Sequence, residues 1–113
     1  MKFLLIGSID RALVGFRGPL IETLLAQGHE VTAAAPRPSR EVIGAIESMG
    51  ASVASFPLER AGRNPLADLN SRVALHRLVA REAPDTVLAF GVKPIAYALP
   101  IAKRLRVDTR VAL

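Results

Sequence analysis

The sequence predicts an α/β fold: a doubly wound parallel sheet of about five strands, ordered 3-2-1-4-5, with helices on both faces. Three observations predict it. Apolar runs of strand length alternate with runs of helical periodicity along all 113 residues. The first run, Lys2-Phe3-Leu4-Leu5-Ile6, is apolar without alternation, as a strand buried on both faces requires. The connections are short, which calls for parallel strands and right-handed crossovers. No internal repeat, low-complexity stretch or linker divides the chain, so residues 1–113 read as one domain.

The first strand spans about Lys2–Ile6 and ends in the loop Gly7–Gly18. A helix follows over about Phe16–Gln27, with Pro19 in its first turn and Gly28 as its C′ residue. Glu30–Ala35 is the second strand, stopped by Pro36. Ser39 caps a helix over Arg40–Met49, whose Val42, Ile43 and Ile46 fall at helical spacing, and Gly50 closes it. Ala51–Phe56 is shorter and less apolar, as an edge strand allows, and the loop Pro57–Arg63 follows. Asn64 and Pro65 supply an N-cap and an N1 proline for a helix to about Glu82. Its Leu66, Leu69 and Val73 share one face and Leu75, Leu78 and Val79 another, so it should touch two neighbours. Pro84-Asp85 leads into strand Thr86–Phe90, and the turn Gly91–Pro94 opens a helix to Leu105 with Pro94 at N1. Pro100 should kink or break that helix, and Thr109–Leu113 begins a fifth strand.

Half the residues are hydrophobic, which excludes disorder. No cysteine is present, which excludes disulfides, thiolate catalysis and Cys-based zinc sites, and suits a reducing compartment. The net charge of +5 attracts phosphorylated ligands, anionic lipid or nucleic acid. Scattered arginines, a single Tyr and no Trp argue against nucleic acid; an anionic lipid surface fits better. Met1–Gly7 is too short for a signal peptide, and Lys93 and Pro94 split the longest apolar region, so no span is expected. The expected location is cytoplasmic, at most peripheral to a membrane.

Three loops converge on the carboxyl edge of this sheet: Gly7–Gly18, Pro57–Arg63 and Gly91–Lys93. Each leads to a helix with a proline in its first turn, and helix N-termini favour anions. Arg11, Arg17, Arg60, Arg63 and Lys93 add charge suited to a phosphorylated or diphosphate ligand. The plainer alternative is a set of solvated loop charges. Nucleotide motifs are missing: the glycines after the first strand are wrongly spaced for a dinucleotide turn, and no P-loop exists. No acidic residue ends the second strand, and only Arg37 and Arg40 keep an NADP site open. His29 and His76 have no catalytic partner in view, Asp68 and Asp85 read as element-start residues, and no metal-ligand cluster is visible.

Val14-Gly15-Phe16-Arg17-Gly18-Pro19-Leu20, then Gln27-Gly28-His29-Glu30-Val31 and Ala35-Pro36, follow one another as in the N-terminal domain of family 4 glycosyltransferases. Pro57–Leu69 and Pro84–Tyr97 resemble two further stretches of a subgroup that builds bacterial O-antigen, capsule and related glycans. The resemblance covers essentially the whole chain. It departs at Gly15, where the subgroup has Asn, and at Ala98, where it has Gly. Gly15 cannot make the side-chain hydrogen bond that the Asn implies.

The resemblance implies the N-terminal, Rossmann-like half of a GT-B fold, truncated here from a two-domain enzyme. Such enzymes retain anomeric configuration and generally need no bound metal or other cofactor. A nucleotide sugar is bound mainly by the second domain, which carries the family's glutamate pair. The first domain receives the acceptor, a polyprenyl-diphosphate-linked glycan at the cytoplasmic face of the inner membrane. Carried onto this sequence, the contacts to acceptor diphosphate or sugar are Arg17, Arg60, Arg63 and Lys93, with Ser8 and Gly18 as hydroxyl or backbone donors. No catalytic residue is expected in the chain, and Phe16 and Leu13 are candidates either for lipid contact or for simple packing. Two alternatives stay open: a non-catalytic acceptor- or membrane-binding subunit of a two-component glycosyltransferase, and an NADP-dependent oxidoreductase fragment.

Overall fold

The computed structural model describes residues 1–58 and 65–113. In chain order it contains β1 (Lys2–Gly7), α1 (Asp10–Gly15), α2 (Gly18–Ala26), β2 (Glu30–Ala35), α3 (Arg40–Met49) and β3 (Ser52–Ser55). These are followed by α4 (Pro65–Glu82), β4 (Thr86–Phe90), α5 (Val92–Arg104) and β5 (Thr109–Ala112). All strands pair in parallel in the predicted order, β3-β2-β1-β4-β5.

Alternation of side chains along the strands divides the core between the two faces. Leu4, Ile6, Val87 and Ala89 pack beneath α4 and α5 with Leu75, Leu78, Val79, Ala98 and Ala102. Leu5, Ala33, Ala35, Leu88 and Phe90 pack on the opposite face with Leu13, Ile21, Leu24, Val42 and Ile46 of α1, α2 and α3. Right-handed crossovers require this division: the chain moves from β1 outward to β3 in one direction, then back and outward to β5 in the other. The strand order therefore reverses between β1 and β4, and the two helix layers lie on opposite sides of that line.

Local signals fix several ends. Ser39 Oγ accepts from the Val42 N–H at 3.2 Å to start α3, and Gly50 closes it at φ 103°, a left-handed conformation that favours glycine. Ala83 turns out of α4 at φ 45°, with Pro84 behind it. Asp85 joins β1 to β4: its carboxylate accepts from the Lys2 N–H at 2.7 Å, and its own N–H donates to the Lys2 carbonyl at 2.9 Å.

Four expectations are corrected. The loop after β1 contains α1, whose six residues are too short to display a period and bury only Leu13. The first long helix begins at Gly18, because the Phe16 and Arg17 N–H groups both turn back to the Ala12 carbonyl to finish α1. The last helix begins at Val92, where Gly91 swings the chain and its carbonyl accepts from the Ile95 N–H, so Pro94 is the third helical residue. That site costs no hydrogen bond, since first-turn N–H groups have no partner within the helix. Pro100 leaves no break in α5, which runs on to Arg104; it and Ala96, whose carbonyl loses its donor, are both exposed.

The outer face of α4 also differs from expectation. Leu75, Leu78 and Val79 are buried against the sheet, and α5 lies alongside. Leu66, Leu69 and Val73 remain 76%, 58% and 41% exposed, so the second apolar face is only partly covered.

Candidate functional site

Parallel pairing of β1 with β4 sets Gly7 opposite Phe90 at the carboxyl edge of the sheet. The Phe90 ring closes over that glycine: a Cβ at position 7 would lie 2.6 Å from Phe90 Cε2. One residue further on, the two chains approach again. A Cβ on Gly91 would lie 2.8 Å from Ser8 Oγ, and Gly91 has φ 100° and ψ 155°, which L side chains rarely adopt. Two glycines thus let the loop after β1 and the turn after β4 touch where the strand order reverses, the place at which open α/β sheets bind ligands.

A cavity of about 230 Å³ opens there, lined by Ser8, Ala12, Phe16, Arg17, Phe90 and Gly91 among others. Arg17 occupies the N-cap position of α2, and its guanidinium carbon stands 5.0 Å above the centroid of the Phe90 ring. A cation over an aromatic face gains about 0.5–2 kcal/mol, the larger value where water is excluded. Half-buried Arg17 is therefore held as a positive wall of the cavity, with its planar fork available for phosphate.

Asp10, at the start of α1, bears the negative charge closest in sequence to this loop. Its carboxylate accepts from the Arg11 N–H at 2.9 Å and from the Ser39 N–H at 2.8 Å. The Ser39 hydrogen bond above all holds the Asp10 carboxyl below its ordinary range, against partial burial that pushes it up. The acid is thereby tied to the start of α3, beyond the end of β2. Arg37 and Arg40, the residues that kept an NADP site open, are exposed on either side of that tie. An NADP 2′-phosphate arriving there would meet the Asp10 charge, which disfavours that alternative.

The predicted site residues separate into three groups. Ser8 and Arg17 line the cavity. Gly18 and Lys93 stand in the first turns of α2 and α5 and do not line the cavity: Gly18 is buried and Lys93 half-buried. Arg60 and Arg63 lie outside the described residues. Of the two lipid candidates, Leu13 is fully buried core, whereas Phe16 is 84% exposed at the cavity rim. His29 packs on Phe3 and meets the terminal amine, and His76 lies on α4, away from this cavity.

Sequence reasoning missed Phe90. It ends an apolar strand and reads as core, and only the pairing with Gly7 turns it into a platform for Arg17. Among the described residues no group of three acidic, His or Cys side chains is placed to hold a metal ion. No helix among them is long and apolar enough to cross a membrane.

A family model of the glycosyl transferase 4-like domain matches residues 18–113. No curated protein sequence matches the chain significantly. Solved structures share the fold at low identity. The glycotransferase of kitacinnamycin aligns with TM-score 0.66 and 21% identity over 98% of this chain and 30% of its own. MurG of Acinetobacter baumannii aligns with TM-score 0.73 and 15% identity over 97% of this chain and 33% of its own. UDP-GlcNAc 2-epimerase of Neisseria meningitidis, solved with UDP-GlcNAc, aligns with TM-score 0.69 and 13% identity over 98% and 32%. The chain thus spans about a third of each of these three proteins.

Proposed function

Because the chain belongs to the glycosyl transferase 4-like domain family, we propose that it is the acceptor-side domain of a retaining glycosyltransferase. In this proposal a sugar passes from a nucleotide sugar to a polyprenyl-diphosphate-linked acceptor during cell-surface polysaccharide synthesis, at the cytoplasmic face of the membrane. The observation that carries the proposal is the cavity at the β1/β4 reversal with Arg17 braced on Phe90. Its volume of about 230 Å³ is below the roughly 300–1,000 Å³ usual for a complete small-molecule site. Such a space suits a diphosphate group and the first atoms beyond it, with the rest of the cleft supplied by a second domain.

Arg17 neutralises phosphate charge, the Ser8 hydroxyl donates to a phosphate oxygen, and the first-turn N–H groups of α2, Gly18 included, add partial positive charge. Lys93 in the first turn of α5 extends the same field, and Arg60 and Arg63, the other two cations assigned to the acceptor, would add charge to it. These groups hold the acceptor and orient its hydroxyl; they form and break no bond. The nucleotide sugar and the groups that act on it belong to the second domain, and no metal or cofactor is assigned to this one.

Titration calorimetry with geranyl diphosphate, a water-soluble stand-in for the polyprenyl diphosphate, tests the reading. Saturable binding is expected, weakened about tenfold to a hundredfold in Arg17→Ala, the loss of one charge-assisted contact of about 1.5–3 kcal/mol. Equal affinity in Arg17→Ala and the parent chain refutes the assignment. Sugar transfer catalysed by the 113-residue chain alone refutes the two-domain division of labour.

A further inference from the structure

The two outer strands of the sheet are guarded differently. β5 carries Arg110, a charge of the kind that keeps an edge from pairing with another chain. β3, Ser52-Val53-Ala54-Ser55, carries no charge and no proline, and among the described residues only β2 pairs with it. Its outer N–H and C=O groups therefore form a template for a further strand. Beside this edge lies a concavity of about 450 Å³, lined by Ile43 and Glu47 of α3, by Val53 and Ser55 of β3, and by Arg37. Arg37 and Glu47 are exposed, and among the described residues neither has an ion-pair partner. They mark opposite ends of the edge. Arg37 follows β2, which runs parallel to β3, and so stands at the carboxyl end, held between Pro36 and Pro38 at φ 46°. α3 runs back the other way and brings Glu47 towards the amino end.

We infer that two copies of the chain join at this edge, β3 antiparallel to β3, into one continuous sheet. Charge selects a second copy as the occupant. A two-fold axis through β3 reverses one edge against the other, so Arg37 of each copy meets Glu47 of the other. The whole chain carries +5, but residues 37–49 set Arg37 and Arg40 against Glu41 and Glu47 and are neutral, so the surplus charge is not concentrated at the junction. Strand geometry fixes the register. Val53 packs on the α3 side of the sheet and Ala54 on the α4 side. Residues directly opposite in an antiparallel pair share a face, so the pairing centres on a residue and not between two. Centred on Val53, it sets the two Val53 side chains together on the α3 side and Ser52 opposite Ala54, with no bulky pair to separate the strands. Four residues supply few backbone hydrogen bonds, and the two α3 helices, antiparallel on the same face with Ile43 along the seam, supply the remaining contact. The junction lies beyond β2 from the β1/β4 reversal and leaves the Arg17 cavity open. The inference is thus separate from the acceptor reading, and each can fail alone.

Sedimentation velocity over a range of protein concentrations reads the association. A reversible dimer is expected. Glu47→Arg and Arg37→Glu should each weaken it about tenfold, because either change turns both facing pairs from attraction to repulsion. Mixing the two variants should restore the dimer, since both contacts of the mixed pair again join opposite charges. Amide hydrogen exchange should slow within Ser52–Ser55 as the parent chain dimerises, and affinity for geranyl diphosphate should be unchanged in Glu47→Arg. Circular dichroism confirms that each variant is folded before it is measured. A monomer at every concentration, single variants that associate as tightly as the parent, or a mixture that associates no more tightly than either variant alone overturns the inference. So does a dimer that leaves exchange within β3 unchanged, or an edge that captures an extended peptide of another protein while the chain stays monomeric.

Discussion

Gly91→Ala is the most direct probe of how the cavity is built. At φ 100° and ψ 155° the new residue would sit in a region essentially restricted to glycine, at a cost of about 1–3 kcal/mol. Its Cβ would also arrive 2.8 Å from Ser8 Oγ, while Ser8 Cβ and Pro94 Cδ stay at ordinary distances of 3.4 and 3.5 Å. Ser8 must therefore leave its rotamer, for about another 1 kcal/mol. The sum is about 2–4 kcal/mol. Unfolding entropy of about 2.1 cal/mol/K per residue over 113 residues gives about 0.24 kcal/mol/K, so Tm should fall by about 8–17 °C. Gly44→Ala is the matched control. Gly44 lies inside α3, and a Cβ there meets nothing within 4 Å. With no strain to oppose helix propensity, that change should raise stability by about 0.5–1 kcal/mol. Thermal unfolding followed by far-ultraviolet circular dichroism reads both. If Gly91→Ala melts within about 2 °C of the parent chain, or if both changes have the same sign, the β1/β4 edge is not built as described.

The faces of α4 and the tie at Asp10 give further tests. Leu75→Ala removes a fully buried side chain and should cost about 2–5 kcal/mol in urea unfolding, whereas Leu69→Ala, 58% exposed, should stay within about 0.5 kcal/mol; comparable losses would mean that the outer face is covered. Asp10→Asn should cost about 1 kcal/mol at neutral pH by weakening the hydrogen bond to Ser39. Because the folded carboxyl is held below its ordinary value, its contribution is full above the unfolded carboxylate range and is lost as pH falls through the lowered value. The Asn variant should therefore show a flatter acid limb in stability against pH, and an acid limb parallel to the parent's would remove Asp10 from the account.

Signals carried by one or two residues were readable. Ser39 and Gly50 bound α3, Pro84 marks the exit from α4, and the unalternating run before Gly7 marks a strand covered on both faces. Each is a statement about a residue and its immediate neighbours, and tertiary packing left it intact. The strand order also followed, since a two-face burial pattern and right-handed crossovers leave few arrangements. α1 was hidden because six residues hold too few apolar positions to show a period, and its buried Leu13 resembles any loop leucine. Arg17 was visible as a charge, but not as a held charge.

By itself, therefore, the sequence determined the α/β class, the parallel strand order and the likeness to glycosyltransferases that the family match supports. Tertiary structure alone decided which residues meet there. Gly7 and Phe90 become partners through strand register across most of the chain, and Arg17 stacks on Phe90 only after α1 has turned back. The fate of the outer face of α4 was settled in the same way. Its periodicity reports that Leu69 and Val73 lie together on a helix, but whether such a face is covered depends on where α5 lands. Local propensity acts over one turn of chain, whereas the cavity and the partly covered face of α4 arise from contacts that no single stretch encodes.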